Sequence, residues 1–112
     1  MPADLGQTFD ALADSHRRAV VALLRQEPRR SGDLAQALSM NHPTMSRHLR
    51  VLRKAGLVQE EIDEEDARVR VYSLRPEPFA ELRSWLDEVE SFWTDQLGSF
   101  KAHAERRGKT RS

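Results

Sequence analysis

The sequence predicts a mainly α-helical domain with a small β-hairpin, arranged as a winged helix-turn-helix and followed by a long C-terminal helix. Three observations lead there. Four short segments with helical periodicity precede residue 56. The pattern then changes to β-branched, strand-like runs between residues 57 and 74. The fourth helical segment, "NHPTMSRHLRVLRKAGLV" (41–58), carries Arg47, Arg50, Arg53 and Lys54 with two histidines and no acid, in a chain of zero formal net charge.

Each element has its own signal. Leu5, Phe9 and Leu12 repeat at i, i+4, i+7 and define one face of a first helix. Asp14 or Ser15 suits the N-cap of a second, "SHRRAVVALLRQE", which Pro28 stops. Ser31 is the expected cap of a short third helix, "GDLAQAL", with Leu34, Ala35 and Leu38 turned inward. "SMNH" makes a turn. Pro43 suits the first turn of a fourth helix, expected over 43–55, and Gly56 ends it. "LVQEEI" and "RVRVYSL" flank "DEEDA" and read as a two-stranded hairpin. Pro76 and Pro78 precede a final helix expected over 79–104.

Length and composition set the class. At 112 residues the chain is expected to form one domain, over 1–105, with a core that needs neither disulfide nor metal. Zero cysteines exclude a disulfide framework and a thiolate metal site. No apolar run reaches the roughly 18 residues that a membrane span requires, and the N-terminus lacks a signal-peptide layout. A cytoplasmic domain that avoids membranes is expected. "RRGKTRS" (106–112) is basic, lacks apolar residues and reads as a disordered tail.

The fourth helix points to nucleic acid. With Met45, Leu49 and Leu52 packed inward, Pro43, Arg47, Arg50 and Lys54 fall on the opposite side, flanked by Ser46 on one edge and by Thr44 and Val51 on the other. Short polar residues at the N-terminal end and cations behind them suit a helix entering a major groove, where the first turn reads base edges and later cations hold phosphates. The competing reading is an ordinary surface helix with scattered arginines.

Taken together, "ALADSHRRAVVALL", "DLAQALSMNHPTMSRHLRVLRKAGLV" and "RVYSL" resemble the arsenical-resistance-repressor (ArsR) family of bacterial regulators over roughly residues 8–75. The resemblance implies a homodimeric winged helix that binds a double-stranded DNA operator and represses transcription. The family's reading positions fall on His42, Pro43, Ser46 and Arg47, with Thr44 nearby. Metal-sensing members carry cysteines on the third helix or paired Asp and His ligands on the last. Here the third helix reads "SGDLAQAL", and aligning Asp87 to the first ligand of the last helix puts Val89 and Phe100 where imidazoles are needed. No metal and no cofactor is therefore expected. No catalysis is expected either: His16, His42, His48 and His103 each lack an adjacent nucleophile or orienting acid in the sequence, and no glycine-rich phosphate loop occurs.

The last helix suggests the partner. Leu82, Leu86, Val89, Trp93, Leu97 and Phe100 step by four and three, and Trp85 and Phe92 widen one flank. The resulting apolar face spans about 140°, broader than one domain's own core needs. A homodimer seam is expected there, with Leu5, Phe9 and Leu12 contributing, in line with the first and last helices through which the family dimerises. The wing departs from the family pattern: "EEIDEED" (60–66) holds six acids in seven residues. Arg68 and Arg70 are the cations of its second strand and either contact DNA or pair with Glu60 or Asp63 across the hairpin. Two further readings stay open. One is a winged helix used for protein binding; the other is a repressor released by an unidentified small apolar effector at the dimer interface, for which a pocket lined by Trp85, Phe92 and Trp93 would speak.

Overall fold

The computed structural model describes residues 4–110, with the backbone only at residues 102 and 106–110. Two compact units are divided after Glu81. The first contains α1 (Leu5–Leu12), α2 (Ser15–Gln26), β1 (Arg29–Arg30), α3 (Ser31–Ala37), α4 (His42–Lys54), β2 (Val58–Ile62), β3 (Arg70–Leu74) and the opening of α5 (Pro76–Thr110). The remainder of α5 forms the second. No helix among the described residues is long and apolar enough to cross a membrane.

Local chemistry sets each boundary. Asp4 caps α1 by accepting from the Gly6 amide, and Asp14 caps α2 by accepting from His16 and Arg17. The carbonyls left open at the end of α1 are met by two arginines of α2. Arg17 donates to the Ala11 and Asp10 carbonyls, and Arg18 to those of Leu12 and Ala13. Arg29 does the same for α2 through the Leu23 carbonyl. Ser31 is not the cap of α3: it is the first helical residue, and Arg30 holds the cap position without a side-chain bond.

The turn before α4 closes by main-chain bonds. Met40 donates to Ala35 and Ser39 to Gln36, the paired bonds that end a helix with one left-handed residue. That residue is Ser39, at φ 51°. The end of α4 repeats the arrangement with Leu57 donating to Leu52 and Gly56 to Arg53, and there a glycine takes φ 81°. Glycine carries no Cβ penalty in this region, so Ser39→Gly should raise stability by up to about 1 kcal/mol. Urea unfolding would show it as a higher midpoint at constant slope.

The core of the first unit joins its helices to the sheet. Val20 and Leu24 of α2, Leu34 of α3, Met45, Leu49 and Leu52 of α4, and Leu57 and Val58 are buried together. Phe79, from the first turns of α5, packs against this cluster. The sheet has three strands in the order β1-β3-β2, all antiparallel, where the sequence suggested two. The additional strand is two residues long: Arg29 pairs with Tyr72 and Arg30 with Val71. A two-residue strand shows no periodicity of its own, so pairing alone reveals it.

In the second unit α5 continues as a single helix. It begins at Pro76, three residues before the expected start, and runs to Thr110. The backbone of residues 106–110, assigned to a tail from composition, lies in this helix; residues 111–112 lie outside the described residues.

Candidate nucleic-acid interface

Helix α4 is positioned by burial on one side and capped at its start. Met45, Leu49 and Leu52 are 1%, 2% and 0% exposed, which fixes the helix's rotation about its axis. Asn41 accepts from the Thr44 amide at 2.8 Å, so the helix starts at His42, one residue before the expected start. Its N-terminal amides and positive dipole end favour an anion such as a phosphate. His42, Pro43, Ser46, Arg47, Arg50 and Lys54 are exposed, and Thr44 is half-buried. The His42 ring lies beside α3, with Cε1 3.8 Å from where a side chain on Gly32 would begin.

The structure sorts the four cations of this helix into two kinds. Arg53 is committed within the fold: its guanidinium donates to Oε1 of Glu60 on β2. The other Glu60 oxygen accepts from the Tyr72 hydroxyl at 2.8 Å. Burial, aided by the Glu60 carboxylate, pushes the Tyr72 hydroxyl up to about 12, so it stays a neutral donor at physiological pH. Arg47, Arg50 and Lys54 form no hydrogen bond or ion pair among the described residues. They are the cations available to an external anion.

The wing is internally braced. Arg68 does not reach Glu60 or Asp63. It turns back onto Asp66, donating through Nε at 3.1 Å, and its amide also donates to that carboxylate. The Arg68 guanidinium and amide hold the Asp66 carboxyl below the usual carboxylate range. Asp63 pairs instead with Arg30 of β1 at 2.6 Å, tying the hairpin base to the extra strand. Arg70 is exposed, faces Ile62 in the register and makes no ion pair among the described residues. Glu64 and Glu65 form the exposed acidic tip.

The apolar face of α5 is open in the single chain. Leu86, Phe92, Trp93, Leu97 and Phe100 are between 50% and 73% exposed, and Trp85 is 38% exposed, while Leu82 and Val89 are half-buried. On α1 the fully buried positions are Thr8 and Ala11, leaving Phe9 exposed and Leu5 and Leu12 half-buried. A shallow groove along α5 is lined by Trp93, Gln96, Leu97, Ser99, Phe100 and His103. It includes Trp93 but neither Trp85 nor Phe92.

One constellation escaped the sequence. His16 and His48 come together across α2 and α4, with ring centroids 5.8 Å apart, and the Asp14 carboxylate lies 3.8 Å from Nδ1 of His16. Arg17 approaches Nδ1 of His48 at 3.5 Å. In the sequence alone neither histidine has an evident orienting acid. Asp-x-His at a helix start was the local signal; the second histidine lies 32 residues further on and only packing joins them.

The family model for bacterial regulatory proteins of the arsR family matches residues 14–60. The HTH-type transcriptional regulator Rv2034 of Mycobacterium tuberculosis is 40% identical over 94 residues, covering 84% of this chain and 82% of that protein. The crystal structure of the ArsR family transcriptional regulator RHA00566 superposes with a TM-score of 0.72 at 32% identity, covering 80% of this chain and 96% of that one. The solution structure of the homodimeric winged helix-turn-helix DNA-binding domain of Mb0332 from Mycobacterium bovis superposes at 0.61 with 26% identity, covering 81% and 82%.

Proposed function

Because the chain belongs to the arsR family of bacterial regulatory proteins and is a DNA-binding transcriptional regulator rather than an enzyme, we propose that it acts as a homodimeric repressor reading an inverted-repeat operator through α4. One observation carries this reading. The face of α4 opposite its buried side presents Pro43, Ser46, Arg47, Arg50 and Lys54 to solvent, and its cations make no ion pair among the described residues. In the proposed complex the first two turns, His42 to Arg47, meet base edges, while Arg50 and Lys54 neutralise phosphates. Arg53 stays with Glu60.

Two copies are needed for an inverted repeat. The exposed apolar face of α5 is the proposed seam, with Leu5, Phe9 and Leu12 of α1 proposed to add to it; the Mb0332 domain is itself homodimeric. Twofold symmetry then sets the two copies of α4 on successive major grooves, about 34–36 Å apart. Repression follows from occupancy, since a dimer seated over a promoter excludes the polymerase. The test is selection of fragments from random DNA by the purified protein. An enriched motif with two inverted half-sites about one helical turn apart supports the reading; no enrichment over input, with binding that ignores sequence, ends it.

At the wing, Arg70 is the proposed phosphate contact, because Arg68 is drawn onto Asp66. The acidic tip opposes it. Glu64→Gln with Glu65→Gln removes two exposed charges while keeping Asp63 and Asp66, which brace the hairpin. Affinity should rise for any DNA sequence at low salt, and the gain should shrink as salt screens the repulsion. Equal affinities for both proteins at low salt would mean that the tip points away from the duplex.

A further inference from the structure

We propose that Asp14, His16 and His48 form a binding site for a divalent late first-row transition metal such as zinc, cobalt or nickel. One ligand atom from each residue lies within 4.8 Å of the other two. Two imidazoles and one carboxylate are borderline nitrogen and hard oxygen donors, a set that suits these metals and is poorly matched to calcium or magnesium, which take oxygen. Metal–donor bonds of about 2.0–2.1 Å in a tetrahedron put ligand atoms roughly 3.3 Å apart, so the cluster must contract by an ångström or so. The His16 side chain, 61% exposed, can supply that movement by rotation.

The fold prepares the carboxylate. Asp14 is fixed as the cap of α2, with Oδ1 accepting from the His16 and Arg17 amides. One group opposes the metal. Arg17 approaches Nδ1 of His48 at 3.5 Å, and coordination through either ring nitrogen ends that contact. A metal on Nδ1 takes its lone pair; a metal on Nε2 leaves the proton on Nδ1. The contact is long and therefore weak, and the guanidinium keeps its bonds to the Ala11 and Asp10 carbonyls. Its charge lowers the affinity without blocking the site. Water completes the coordination from the solvent side.

Such a metal would join the start of α2 to the middle of α4, next in sequence to Arg47. It goes beyond the operator-binding reading, and its test needs no DNA. Titrating the protein with Co²⁺ should develop ligand-field absorption that saturates at one ion per chain and is displaced by Zn²⁺. His16→Gln and Asp14→Ser, the latter keeping a capping oxygen, should each weaken Co²⁺ at least about ten-fold, since even outer-sphere losses reach that size. His103→Gln should change nothing. Far-UV circular dichroism should match the parent for His16→Gln, whose exposed ring carries no core packing, so this variant decides the matter even if Asp14→Ser unfolds. No Co²⁺ absorption in the parent, or equal affinity in the parent and His16→Gln, overturns the proposal.

Discussion

Leu86→Glu and Trp93→Glu are each expected to convert the proposed dimer to monomer or aggregate and to abolish tight operator binding. Both side chains are open in the single chain, at 50% and 58% exposure, so a carboxylate there places no direct load on the fold of one chain. In a symmetric seam the same carboxylate is buried without a partner, and the twofold axis places it twice. One uncompensated buried charge costs about 3–5 kcal/mol, which weakens dimerisation by roughly a hundred- to a thousand-fold or more. Operator affinity falls with it, because a monomer engages one half-site alone. Sedimentation velocity at micromolar protein is the direct reading. An unchanged dimer for both variants would remove α5 from the interface.

Arg47→Ala should weaken the selected operator at least about ten-fold more than random DNA and relax preference at one position per half-site, since a bidentate arginine–guanine contact is worth roughly 1–3 kcal/mol of discrimination. Arg47 is exposed, makes no ion pair among the described residues and lies one turn beyond Pro43, on the end of α4 proposed to enter the groove. Lys54 is the last residue of the helix, two turns further on. Its loss should weaken operator and random DNA alike and flatten the salt dependence by about one unit per contact. Arg53→Ala makes an internal control: its guanidinium is held by Glu60, so operator affinity should change less than for Arg47→Ala. If Arg47→Ala behaves like Lys54→Ala, Arg47 is a phosphate clamp and reading passes to His42, Thr44 and Ser46.

The sequence by itself determined the helices, the hairpin and the buried face of α4, though not β1. Asp14 and Gly56 each mark a helix end through bonds made within a few residues, and Met45, Leu49 and Leu52 set the rotation of α4 through the 3.6-residue period. The family resemblance rested on the same local signals. The tertiary structure decided which charge meets which. Arg53 and Arg47 look equivalent in the sequence, yet one faces Glu60 across to β2 and the other faces solvent. Asp63 takes Arg30 rather than either wing arginine, because β1 pairs with β3 and brings a cation from 33 residues upstream to the hairpin base. The meeting of His16 with His48 arises in the same way, from the packing of α2 against α4. Caps and periodicity act over one or two turns and are written in residue spacing. Ion-pair and ligand partners depend on which backbones the buried core draws together, and those separations have no local trace.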